Sequence, residues 1–88
     1  DFSNLSDYEL VNTFNGDVCN SGWVYQRSLF LHYLFKEFKK RNIDLGDVEK
    51  VENGYISHSL QYAVYLKEDG GKKILRQIKC EKWIKKSN

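Results

Sequence analysis

Four side chains in this sequence have the chemistry of a metal ligand or a nucleophile: Cys19, His32, His58 and Cys80. Their spacing suits neither role. Structural zinc sites draw ligands in close pairs, because one tight turn then brings two donors to the same tetrahedron. No two of these four residues are paired in that way, so no metal site is expected. Cys19 precedes a helical pattern, a setting that can activate a thiol. Its base would have to be His32 or His58, both distant in sequence, and a lone Cys with a remote His is a weak catalytic signature. Gly70-Gly71 lies between two strand-like runs rather than between a strand and a helix, so it is no phosphate cradle. With no convergent acid, base or nucleophile, the expected protein is not an enzyme and carries no cofactor.

Two other groups of residues suit binding. Tyr25, Leu29 and Tyr33 recur every four residues and form an apolar stripe on one side of a helix, bordered by Gln26, His32, Lys36 and Lys40. Either another element of the fold covers such a stripe or it is a contact surface. The reading taken is contact with a protein partner or with a second copy of the chain. The alternative is nucleic acid, held by Lys72, Lys73, Arg76, Lys79, Lys82 and Lys85 near the end of the chain, with Trp83 and an outward Tyr65 for base stacking. The ordinary role of such lysines is to keep an edge strand from aggregating.

The elements that must position these residues follow from periodicity. Ser6 and Glu9 form a capping box, with Leu5 and Leu10 spaced as a hydrophobic staple. They open a helix over Asp7 to Asn15, with Asn15-Gly16 as its stop. Ser21 is a candidate cap for a second, long helix from Gly22 or Trp23 to Arg41. Its main apolar arc holds Trp23, Val24, Phe30, Leu31, Leu34, Phe35 and Phe38. Arg27 falls inside this arc and must pair or reach water, with its head expected to meet Glu9 or Asp17. Asn42 to Gly54 reads as a connector in which Leu45, Val48 and Val51 form a short turn against the core. From Ile56 to Lys67 the period becomes two, the pattern of a half-buried strand. The turn at residues 68–72 allows two registers, and a two-residue loop on Asp69-Gly70 would place Leu66 opposite Lys73. A three-residue loop, placing Leu66 opposite Ile74, Tyr62 opposite Ile78 and Leu60 opposite Cys80, matches apolar with apolar. It also leaves Arg76 opposite Val64.

Composition bounds the rest. The chain of 88 residues reads as a single domain over 1–88, and its hydrophobic content of 41% with 15% aromatic residues supports a packed core. It has no Met and begins at Asp1, so residue 1 is not taken as a native start. Net charge is only +2, yet residues 67–88 hold eight basic and three acidic residues, while residues 1–66 hold six and nine. That asymmetry points modestly towards an acidic partner. No run is long enough to span a bilayer, and two cysteines do not make a disulfide framework. A cytoplasmic, reduced protein with no membrane partner is expected.

The string Gly22-Trp23, Arg27, Leu31, Leu34, Glu37-Phe38 and Arg41-Asn42-Ile43-Asp44 resembles a group of short bacterial proteins. In these, a Gly-Trp pair opens a long helix that ends in Glu-Phe-x-x-Arg-Gly-[Ile/Phe]-Asp. The Lys-Ile-Leu-Arg-Gln-Ile segment is also similar. This chain has Asn42 where the pattern has Gly, and a longer stretch from Asp47 to Gly54. The group has no assigned activity, so the resemblance implies helices followed by a hairpin and transfers no functional residue.

The expected fold is α+β: two helices, the second long, on a small antiparallel sheet made from one hairpin. The expected core is Leu10, Val11, Phe14, Val24, Leu31, Leu34, Phe35, Phe38, Leu60, Tyr62, Val64, Leu66, Ile74 and Ile78. A small phage or bacterial regulator or inhibitor fits that size and surface.

Overall fold

The computed structural model describes residues 2–18 and 25–78. A 3₁₀ turn at Phe2–Asn4 leads into α1 (Asp7–Val18) and α2 (Tyr25–Lys40). Then come β1 (Ile43–Asp44), a 3₁₀ turn at Gly46–Val48, β2 (Glu49–Glu52), β3 (Tyr55–His58), β4 (Val64–Asp69) and β5 (Lys72–Gln77). The class is α+β, with two helices, a mixed three-stranded sheet in the order β1-β5-β4 and a separate β2-β3 hairpin.

α1 opens with the capping box. The Glu9 N–H donates to Ser6 Oγ at 3.1 Å, and the Ser6 N–H donates to Glu9 Oε1 at 2.7 Å. Two N–H groups without helical partners are thereby satisfied. The helix continues three residues beyond the expected stop. Tertiary bonds outweigh the weak propensity of Asn15-Gly16: the Asn15 amide binds the backbone of Val64, and buried Asp17 receives Arg27. Arg27 Nε lies 3.0 Å from Asp17 Oδ2, which resolves the choice between Glu9 and Asp17.

α2 buries Leu31, Leu34, Phe35 and Phe38. The turn that follows α2 closes at Asn42, whose φ of 62° is left-handed. Asparagine tolerates that conformation in place of the glycine usual after a helix. Cys19, Ser21, Trp23, Val24 and Cys80 lie outside the described residues.

The sheet departs from expectation in three ways. First, the strand expected over Ile56 to Lys67 is divided, because the chain changes partners. β3 pairs back with β2 through Asn53-Gly54, while β4 pairs forward with β5. Second, the connector contributes β1, which lies parallel to β5. Third, the β4-β5 loop is Gly70-Gly71, with Asp69 opposite Lys72 and Leu66 opposite Leu75. Both glycines have positive φ, 58° and 86°. That combination makes a type I′ turn, whose twist suits a hairpin. The three-residue loop is therefore incorrect, and the one-residue shift exchanges faces. Leu75 is fully buried, Ile74 is only partly so, and Arg76 lies opposite Tyr65 instead of Val64.

α1 packs on β4, α2 on β1, and the Gly46–Val48 turn on β5. The core includes Ile43 and Leu75, which are not in the expected list, and Leu45 and Val48, which belong to the short turn expected against the core. Leu60, Tyr62, Leu66 and Ile74 are half-buried, while Ile78 and Val51 are exposed. Arg41 closes the assembly. Its guanidinium reaches Glu37, Asp7 and the carbonyls of Phe2 and Ser3, and Asp7 also binds Lys73. One cluster thus joins both helices, the first turn and the central strand.

Candidate functional site

Tyr25, Leu29 and Tyr33 are all exposed, at 72%, 39% and 55%. At about 100° per residue, the three span one flank of α2 away from the core arc. His32, Lys36 and Lys40 beside them are exposed as well. The His32 ring meets Tyr33 edge-on, with centroids 5.2 Å apart. A hollow between Tyr33, Lys36, Glu37, Lys40 and Phe2 adjoins the stripe on its other side.

On the adjoining side of α2, towards the β2-β3 hairpin, runs a groove of about 500 Å³ lined by Ser28, Leu31, His32, Phe35, Lys36, Lys39, His58 and Leu60. Its outer wall is fixed by three contacts. The His58 ring stacks on Phe35, with centroids 4.5 Å apart and planes 16° from parallel. Glu49 Oε2 accepts from Lys39 Nζ at 2.9 Å and lies 3.1 Å from His58 Nε2. The Lys39 hydrogen bond, with the His58 contact as the lesser cause, holds the Glu49 carboxyl below its ordinary pKa. Lys36 and His32 sit on the ridge between groove and stripe, so the two surfaces adjoin. Lys36 has no ion pair or hydrogen bond among the described residues.

Among the described residues, the basic set is not gathered into one surface. Side chains alternate along β5, sending Lys73 to the helical side, where it binds Asp7 at 2.6 Å. Arg76 points to the other side and binds Asp47 at 3.2 Å. Lys72 is exposed at the end of the turn, and Tyr65 is exposed opposite Arg76. Lys79, Lys82, Trp83 and Lys85 lie outside the described residues.

The groove is the part that the sequence reading misses. Its signal is present: residues 28, 31, 32, 35, 36 and 39 have the spacing of one helix edge. Leu31 and Phe35 belong equally to the core arc, which conceals that edge. His58 joins it only because the chain folds back through the β2-β3 hairpin.

Among the described residues, no three His, Cys, Asp or Glu side chains gather to hold a metal ion, and no helix is long and apolar enough to cross a membrane. No protein-family model, curated protein or solved structure matches the chain.

Proposed function

We propose that this is a small non-enzymatic binding protein that regulates a protein partner by contact, using the outer flank of α2. One observation carries the reading: Tyr25, Leu29 and Tyr33 are exposed side by side. Tyrosine supplies large, stiff contact area and is enriched at the centres of interfaces. The exposed charged residues of this flank are cationic, Lys36 and Lys40. The complementary partner therefore presents an apolar ridge bordered by carboxylates. Two copies meeting through this flank would instead bring two sets of lysines together, which favours a different protein over self-association. A reducing, cytoplasmic setting goes with this reading.

Nucleic acid is the weaker reading, because Lys73 and Arg76 are committed to Asp7 and Asp47. The test is binding to a purified partner captured from the source cell, using folded Tyr33→Ala and Leu29→Asp variants. Loss of affinity in both supports the proposal, and full retention rejects it. Binding to generic DNA or RNA that weakens steeply with salt, and is lost on replacing Lys79, Lys82 and Lys85, would favour the nucleic-acid reading.

A further inference from the structure

We propose that the groove between α2 and the β2-β3 hairpin is a second site, which binds a small organic anion: an acid group carried on an apolar body. This goes beyond the protein-contact reading and does not depend on it. The groove volume, about 500 Å³, falls within the range of small-molecule sites. Its chemistry is divided by depth. Leu31 and Phe35 are buried and Leu60 half-buried, which makes an apolar floor, while His32, Lys36 and Lys39 at the mouth are exposed.

The mouth favours an anion. Lys39 is balanced by Glu49 at 2.9 Å, but Lys36 has no carboxylate partner among the described residues. Glu49 is the acid at this end of the groove, and Lys39 and His58 both occupy the same oxygen of it. Among the described residues, one cationic charge is thus left over above an apolar floor, with the Ser28 hydroxyl and the His32 ring close by as further polar groups. The wall is also formed in advance. His58 is fixed by stacking on Phe35 and by Glu49, so little ordering is required on binding.

The test uses anilinonaphthalene sulfonate, an acid on an apolar aromatic body, titrated into the full chain and followed by amide chemical shifts. The uncharged parent phenylnaphthylamine serves as the matched neutral probe. Expected is saturable one-to-one binding with shifts centred on Ser28, His32, Lys36, His58 and Leu60. The neutral probe should bind about tenfold more weakly, and Lys36→Glu should weaken the sulfonate by at least about tenfold, the effect of losing one charge-assisted contact. Lys36→Gln should fall between. Tyr33→Ala should leave sulfonate binding unchanged, which separates this site from the protein-contact flank. Equal binding of the two probes, indifference to Lys36→Glu, or shifts centred on Tyr25, Leu29 and Tyr33 would each overturn the proposal.

Discussion

The side-chain amide of Asn15 makes both hydrogen bonds to Val64 that a neighbouring strand would make. Nδ2 donates to the Val64 carbonyl at 2.9 Å, and Oδ1 accepts from the Val64 N–H at 2.8 Å. The β4-β5 register explains why these groups need a partner. Residues 65, 67 and 69 face 76, 74 and 72, and the Ile78 N–H reaches the Ala63 carbonyl. The backbone of Val64 therefore points away from β5, towards α1. One amide both ties the helix to the sheet and closes the first position of an open strand edge.

Asn15→Ala is expected to lower stability by about 2 to 4 kcal/mol, since it orphans a donor and an acceptor on a buried residue. Asn15→Asp should not rescue it: a carboxylate keeps the acceptor but faces the Val64 carbonyl without a proton. Urea unfolding curves of the two variants decide this, and a loss below 1 kcal/mol in the alanine variant would contradict it.

Asp7 sets an acid limit on the fold. The Lys73 hydrogen bond, with Arg41 as a further cause, lowers its pKa from the ordinary 3.8. Because the folded value lies below the unfolded one, the stabilisation is complete above about pH 4 and is lost as pH falls through the lowered value. Asp7→Asn should cost about 1 to 2 kcal/mol at neutral pH and should flatten the acid decline, since these pairs are partly exposed. Stability measured from pH 7 down to about 2 checks both the offset and the slope.

Gly46 and Gly16 should respond to alanine with opposite signs. Gly46 has φ +52°, and a methyl group there would overlap the Leu75 carbonyl oxygen and come within 2.8 Å of the Ile74 side chain. Gly46→Ala should cost about 3 kcal/mol or more, by strain and displacement of the central strand. Gly16 lies exposed within α1 with open space around it, so Gly16→Ala should stabilise by about 0.5 to 1 kcal/mol. Thermal melts of the pair give the comparison directly.

The two sides of α2 should also separate in stability. Tyr25→Ala and Tyr33→Ala should change it by no more than about 0.5 kcal/mol, as exposed substitutions do. Leu31→Ala, two residues before Tyr33 but only 3% exposed, should cost about 2 to 5 kcal/mol. A large loss at Tyr33 would mean that its ring supports the fold, and would weaken its role as a contact residue.

Local rules were legible wherever a few adjacent residues decide the outcome. Ser6 with Glu9, Arg27 with an acid one helix away, and the periodicity of α2 could all be read directly. Long-range pairing was harder. Ile43-Asp44 is too short to announce itself as a strand, yet beside β5 it puts Ile43 in the core. Asn53-Gly54 reads as punctuation within a connector, although its φ values of 51° and 80° make it a hairpin turn. Matching Leu66 with Ile74 counts apolar pairs, whereas the β4-β5 register follows the backbone twist of two adjacent glycines. The Tyr25 stripe was visible from spacing. The groove was not, because its far wall arrives from a segment twenty residues away.

The β2-β3 hairpin has every residue from Lys50 to His58 exposed, and its tip at Asn53-Gly54 has nothing near the glycine. That makes the tip a natural grafting point. A fluorophore or an inserted epitope carried there stands clear of the interior and of both candidate surfaces, and would report on either without occupying it.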